Sequence, residues 1–279
     1  MISHSSALQP GSHVGDLQIN AILGVGAFGI TYLATDPAIG TRFALKEYFP
    51  SKHVARREDG FLAADDKESA QAFAHGMEAF LNEARLLAAL EHPNVVRVLR
   101  YFEANGTAYF LMPYYKGQPL HRQLQSKGVF DRDSAKALII PLMDALEYLH
   151  NEGVVHQDIK PANIYMTETG EPVLLDFGVA AAQHQQSALL GSAGYAAPEQ
   201  ASGDGSIGPW TDIYGLAATL YRCLTGRIPV SATERLKALS VAEPDPLTPL
   251  KEQLSTAQFG GLIDAIELGL QLQRHDRPR

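Results

Sequence analysis

The stretch His156-Gln157-Asp158-Ile159-Lys160-Pro161-Ala162-Asn163, with Asp176-Phe177-Gly178 beginning thirteen residues after the asparagine, constrains this chain more than any other feature. An aspartate, a lysine two residues on and an asparagine five residues on form one short loop. A second aspartate arrives after a tight excursion. The set contains a proton acceptor, a cation able to meet a phosphate and two oxygen ligands for Mg²⁺, the parts that phosphoryl transfer uses. An ordinary polar loop is the competing reading, and the Asp-Phe-Gly at that spacing weakens it.

The residues around this loop suggest two kinds of architecture in one chain of 279 residues, 46% of them hydrophobic, enough for a sizeable core. Residues 1–14 read as a flexible tail. Residues 17–35 alternate apolar and polar around glycines, as a hairpin does. Arg42–Glu47 reads as a strand, and residues 50–76 as a surface insertion leading into a helix. Phe80, Leu81, Ala84, Leu87 and Ala88 fall at helical spacing between Met77 and Leu90, ended by His92-Pro93. Val95–Phe102 and Thr107–Met112 are β-rich and flank Asn105-Gly106, a hairpin turn. Met112–Gly117 reads as a linker. Helical patterns dominate thereafter, in Ser134–Asn151, Thr211–Leu224 and Phe259–Leu272. A β-rich first part and a helix-rich second part predict two lobes with a cleft between them.

Composition removes several function classes. Net charge is −8 and no dense Lys/Arg block occurs, so nucleic acid is not an expected partner. No run of about 20 apolar residues exists, so no membrane segment is expected, and the polar start has no signal-peptide pattern. Cys223 is the sole cysteine, which excludes an internal disulfide and fits a cytoplasmic setting. His4, His13, His53, His75, His121 and His184 show no metal spacing. The chain ends in Asp276-Arg277-Pro278-Arg279 with no closing helix, and a regulatory domain beyond residue 279 is expected.

Leu23-Gly24-Val25-Gly26-Ala27-Phe28-Gly29 carries G-x-G-x-x-G, where glycines let backbone N–H groups approach phosphate oxygens. Alone the motif fits a glycine-rich hairpin as well. A Rossmann site needs strand, loop, then helix; here β-rich Ile30–Ala34 follows, so the glycines join two strands.

Taken together, these motifs resemble the catalytic core of the eukaryotic-type (Hanks-type) Ser/Thr protein kinases, over nearly the whole chain. Lys46-Glu47-Tyr48-Phe49-Pro50 and His156 to Tyr165 look most like bacterial members. The resemblance implies an α+β, two-lobe kinase fold: an N-lobe over 15–112, a hinge at 113–117 and a C-lobe over 118–279. It implies Mg²⁺-dependent transfer of the γ-phosphoryl of ATP to Ser/Thr hydroxyls of protein substrates, with Mn²⁺ as a substitute metal. Asp158 takes the role of base, Lys160 of γ-phosphate cation, and Asn163 and Asp176 of metal ligands. Lys46 matches the lysine that binds the α- and β-phosphates, with Glu83 as its partner and Glu78 as the rival. Gly24, Gly26 and Gly29 cover the phosphates. Leu23, Thr31, Ala44 and Tyr165 sandwich the adenine, Met112 is the gatekeeper, and Pro113 and Tyr115 supply the hinge carbonyl and N–H.

Outside the chemistry, Ser192, Glu199 with Arg277, and Asp212 match structural residues of the family. Pro119 and Ala162 stand where members that prefer arginines before the acceptor carry acids, so no strong basic preference is expected. Gln157 replaces the usual Arg before the catalytic Asp. The segment from Gly178 to Ala197 offers Ser187, Ser192 and Tyr195 as acceptors and no Lys or Arg. It is expected to be ordered by Leu189, Leu190 and Tyr195, without need of phosphorylation. A catalytically silent ATP-binding scaffold and a small-molecule kinase of related fold are the alternatives. The first is opposed by the presence of Lys46, Asp158, Asn163 and Asp176, the second by Ala197-Pro198-Glu199.

Overall fold

Buried and half-exposed residues alternate along Thr31-Tyr32-Leu33-Ala34 and Ala44-Leu45-Lys46-Glu47, which gives the first half of the chain a sheet with two different faces. The computed structural model describes residues 6–26, 28–177, 193–202 and 206–278. They form two compact units, the first running to Glu91 and taking in Val96–Tyr115, the second formed by His92–Val95 and the chain from Lys116 on.

The strands of the first unit are β1 (His13–Val14), β2 (Leu17–Val25), β3 (Gly29–Asp36), β4 (Thr41–Tyr48), β5 (Val54–Arg56), β6 (Leu62–Ala64), β7 (Arg100–Ala104) and β8 (Thr107–Pro113). Six make an antiparallel sheet in the order β1-β2-β3-β4-β8-β7, and β5 and β6 pair separately. Asn105 (φ 52°) and Gly106 (φ 70°) are both left-handed, as a two-residue turn between β7 and β8 requires.

One face carries Ile19, Tyr32, Ala34, Leu45, Tyr109 and Leu111. It is covered by Ala7, Leu8, Val54 and Leu62. The expected flexible tail is therefore packed over its described part, 6–14, and the expected surface insertion supplies core. Both are fastened by a charge. Glu47 is fully buried and accepts from the hydroxyls of Tyr32 and Tyr109 and from Arg56. Arg56 also donates to Ser6 O at 2.8 Å and Gly60 O at 2.9 Å. A buried carboxylate persists only when paired and hydrogen-bonded in this way.

Helix α1 (Lys67–Ala89) starts ten residues before the apolar periodicity does. Asp66 caps it, accepting from Ser69 N at 2.8 Å. Its Phe80 stacks on Phe110 of β8, ring centroids 4.8 Å apart, and Tyr48 lies against Phe73 and Phe80. Gly76 is required at this contact: a Cβ there would stand 1.9 Å from the Tyr48 hydroxyl.

The second unit contains α2 (Leu120–Lys127), α3 (Arg132–Asn151), α4 (Pro198–Ser202), α5 (Pro209–Thr225), α6 (Ala232–Ser240), α7 (Leu250–Gln253), α8 (Thr256–Phe259) and α9 (Gly261–Gly269). A small antiparallel sheet joins β9 (Gly117–Pro119), β10 (Ile164–Thr167) and β11 (Pro172–Leu174) in the order β11-β10-β9. Helix α5 is apolar nearly all round, the mark of a central helix, and α3 and α9 pack against it. Beside it Glu199 and Arg277 form a buried two-pronged ion pair at 2.7 and 2.9 Å, with Thr211 Oγ1 donating to Glu199 at 2.8 Å. Among the described residues no helix is long and apolar enough to cross a membrane.

Candidate active site

Two groups of candidate residues emerge, one in each unit. In the second unit the organising residue is Asp212, on the first turn of α5 and buried. Its carboxylate accepts from His156 N and Gln157 N, both at 2.8 Å, and meets His150 Nε2 at 2.9 Å. These bonds hold Gln157 at φ 68°, a left-handed conformation unusual for a side-chain-bearing residue. Gly215, one turn further on, lets α5 approach the loop: a Cβ there would lie 2.9 Å from Ile159 O. His156 is fully buried and stays uncharged, because burial pushes its imidazole pKa down. Its Nδ1 accepts from Asp158 N at 3.2 Å, so Nε2 carries the proton and donates to Leu175 O at 3.0 Å. His156 thus ties the loop to the strand end before Asp176.

The loop's functional side chains converge on one carboxylate oxygen. Asp158 Oδ2 accepts from Lys160 Nζ at 2.8 Å and from Asn163 Nδ2 at 2.7 Å. Asn163 Nδ2 also reaches Asp158 O at 2.9 Å, so the amide nitrogen is spent within the loop and the amide oxygen is the end left to act as a ligand. Asp176 is exposed and held at φ 48°. Backbone strain of this kind persists where surrounding structure enforces it, and it concentrates at functional sites. No cluster of three or more His, Cys, Asp and Glu side chains able to hold a metal exists among the described residues. An asparagine oxygen and one carboxylate fit a small hard cation that takes its other ligands from phosphates and water, as Mg²⁺ does.

In the first unit the sheet face opposite the Glu47 core carries Thr31, Ala44, Lys46 and Met112; in the ladders Thr31 faces Lys46 and Ala44 faces Met112. Lys46 Nζ lies over the Phe110 ring, 5.1 Å from its centroid, and 3.9 Å from Glu83 Oε1. That separation is within ion-pair reach and longer than a hydrogen bond. Glu83 is buried and Glu78 exposed, so of the two rivals Glu83 faces the lysine. Leu23 is exposed on β2, and Pro113 ends β8 opposite Phe43. Tyr115 is half-buried in the first unit; Tyr165 belongs to the second, where it pairs with Pro119 and Val173.

The three glycines divide by role. Space around Gly24 is open, a Cβ on Gly26 would meet only Gly29 O, in ordinary contact at 3.7 Å, and Gly26 N donates to Gly29 O at 2.8 Å to close the turn. Gly29 answers to the sheet instead: a Cβ there would lie 2.4 Å from Glu47 O. Ala27, Gly178, Ser187, Leu189, Leu190, Gly191 and Ser192 lie outside the described residues. Of the segment's expected contacts only Tyr195, which is buried, can be placed. Sequence reasoning missed Gln200, whose amide accepts from Ala197 N at 2.8 Å and donates to Gln157 O at 2.7 Å, joining α4 to the Asp158 loop. A lone glutamine after Pro-Glu carries no local signal for such a bridge.

Residues 17–258 match the protein kinase domain. The chain belongs to that family. Serine/threonine-protein kinase B of Synechocystis sp. is 33% identical over 232 residues, 77% of this chain and 38% of that protein. Serine/threonine-protein kinase cds1 of Schizosaccharomyces pombe is 30% identical over 246 residues, 84% of this chain and 50% of that protein. The chain therefore spans about a third to a half of the length of such relatives. Among solved structures the apo form of PpkA-294 matches with a TM-score of 0.86 at 33% identity, covering 98% of this chain and 96% of that one. The fold is that of the family, with a β-rich N-lobe sheet and a helical C-lobe.

Proposed function

We propose that this kinase domain transfers the γ-phosphoryl of ATP to Ser or Thr hydroxyls of protein substrates, with Mg²⁺ as the working metal. The observation that carries the proposal is the convergence of Lys160 and Asn163 on Asp158 Oδ2. It fixes the direction of a carboxylate that can accept the hydroxyl proton and aim the oxygen at phosphorus. Lys160, 2.8 Å away, neutralises charge that builds on the phosphoryl oxygens. Asn163 and Asp176 supply the oxygen ligands for the metal, which when bound shields the phosphate charge. Lys46 orients the α- and β-phosphates, Glu83 positions Lys46, and Gly24 and Gly26 leave room for backbone approach to them. Leu23, Thr31, Ala44, Met112, Pro113, Tyr115 and Tyr165 serve the adenine.

Gln157 is neutral and its carbonyl is committed to Gln200. It offers no cation for a phosphate added nearby, in keeping with catalysis that does not wait for phosphorylation of the segment before Ala197. Cys223, the sole cysteine, is buried, and burial pushes its thiol up to about 12, so it stays protonated; the want of any second cysteine to pair with supports our reading of a cytoplasmic domain. The test is transfer of labelled phosphate from ATP to a generic protein with and without Asp158→Asn. The substitution is expected to remove roughly 10²–10⁴-fold in rate, the usual worth of a general base, while ATP still binds. Near wild-type turnover by the variant would overturn the assignment.

A further inference from the structure

We infer that His121, Arg122 and Arg222 form a basic rim beside the Asp158 loop that binds an acidic residue of the protein substrate close to the acceptor hydroxyl. The inference rests on the proposed kinase activity and adds a substrate class to it.

Arg222 is the exception in its helix. Every other residue of α5 from Thr211 to Leu224 is buried. Its guanidinium makes a single hydrogen bond among the described residues, Nη1 to the Tyr195 hydroxyl at 2.8 Å. A guanidinium has five N–H donors, so most of its capacity is unused by the described residues. Tyr195 belongs to the segment that Gln200 fastens to Gln157, next to Asp158. The arginine therefore stands behind residues anchored to the catalytic loop.

The other side of the rim reaches the same loop. His121 lies at the start of α2, and its backbone N–H donates to Pro161 O at 2.9 Å. Its Nδ1 is buried without a hydrogen-bond partner. Arg122, beside it, is exposed. The loop that follows α2 packs on the last turn of α5: Phe130 N donates to Cys223 O at 2.8 Å, and a Cβ on Gly226 would touch Val129 at 3.2 Å. Burial, with the charges of Arg122 and Arg222, holds the His121 imidazole pKa below its ordinary value.

No carboxylate among the described residues pairs with Arg122 or Arg222. In a chain with 31 acidic and 23 basic residues, a cationic rim without a partner acid among the described residues runs against the average. Pro119 and Ala162, on the two elements that meet there, contribute no acid either. Unpaired cations of this kind favour an anionic partner by charge complementarity, and a carboxylate can take two N–H groups of a guanidinium at once. A cation in the last turn of α5 also steadies that helix, but such a role imposes no preference on a substrate.

The test is a positional-scanning peptide library, phosphorylated by the wild type, Arg222→Ala, Arg222→Glu and Arg122→Ala, with thermal unfolding of each protein recorded alongside. The wild type is expected to select Asp or Glu at a position near the acceptor. On a peptide bearing that acid, Arg222→Ala should raise KM about tenfold, roughly the worth of one charge-assisted hydrogen bond. The same variant should lose its discrimination against the peptide with Ala in place of the acid. Arg222→Glu should turn the preference toward Lys or Arg at that position. Should Arg222 variants fail to fold, a loss of acidic preference in Arg122→Ala supports the rim in their place. Neutral or basic preference in the wild type, or an acidic preference that survives both Arg222→Ala and Arg122→Ala, overturns the inference and leaves the kinase activity standing. No transfer to any peptide or to a generic protein overturns the proposed activity, and the rim with it.

Discussion

Replacing Gly76 by alanine tests whether the position of α1 sets the activity of Lys46. The added methyl carbon would stand 1.9 Å from the Tyr48 hydroxyl oxygen and 2.9 Å from the ring carbon that bears it. Relief requires a retreat of about 1.5 Å. Tyr48 cannot swing away, being 4% exposed and held against Phe73 and Phe80 at centroid distances of 5.4 and 5.5 Å. The helix must give instead. Overpacking of this kind costs about 1–3 kcal/mol, and the better helix propensity of alanine returns up to about 1 kcal/mol. The net expectation is a loss of about 1–2 kcal/mol. Glu83 lies seven residues along α1, two turns on and on the same face. Its 3.9 Å separation from Lys46 is already at the limit of an ion pair, so further displacement breaks that pairing. Misplacement of a positioning group by about 1 Å can cost about a hundredfold, and a fall in kcat of about ten- to a hundredfold is expected. Tyr48→Phe in the Gly76→Ala background removes the oxygen and leaves the 2.9 Å contact, so it should restore part of both losses. Denaturant unfolding and initial rates of peptide phosphorylation measure them. Wild-type rate and stability for Gly76→Ala, or no recovery from Tyr48→Phe, would refute the reasoning.

Three further outcomes are expected. Lys46→Met should abolish most phosphoryl transfer with little change in unfolding temperature, and Glu83→Gln should give a milder form of the same defect; an unfolded Lys46→Met beside a fully active Glu83→Gln contradicts the pairing. Glu199→Gln strands the Arg277 guanidinium in a buried site, and breaking such a pair costs about 3–5 kcal/mol; a stability within about 1 kcal/mol of wild type rules out that role. Burial lowers the folded-state pKa of His156 below its unfolded value, so below pH 6.5 the unfolded chain binds the extra proton. Stability should therefore fall as pH drops through and below 6.5, by up to about 1.4 kcal/mol per unit for one such group. A His156→Gln variant should show a shallower dependence in that window, and an unchanged slope would count against it.

What could be read in the sequence is what lies close along it. Asp158, Lys160 and Asn163 are near one another because five residues of chain leave no choice, and their mutual hydrogen bonds follow from side-chain chemistry. Asn105-Gly106 announces its turn through the two residues that alone tolerate it. The start of α1 was missed because its first ten residues hold a single large apolar side chain, Phe73, and no apolar stripe, and the helix is opened by the Asp66 cap. Gly29 looks like its neighbours in the motif, yet its reason lies across the sheet at Glu47 O. Residues 6–14 read as a tail because their apolar content is thin. They are held by one hydrogen bond from Arg56 to Ser6, by Leu8 N donating to the Tyr32 hydroxyl, and by core contacts no local pattern reveals.

The alternation of β4 gives those distant contacts a connection to the chemistry. Lys46 and Glu47 are neighbours in sequence and point to opposite faces. The lysine meets Glu83 of α1; the glutamate meets Arg56 of the β5–β6 ladder and, through it, Ser6. The same residues that lengthen the chain between Lys46 and Glu83 are thus anchored one position away from Lys46. A loose loop of that length would leave the strand and the helix free to part. Here the loop folds back as a brace on the strand's far side, at the level of the lysine. The buried Glu47–Arg56 pair, costly to desolvate, earns its retention by pinning that strand, the N-terminal segment and the insertion in a single register.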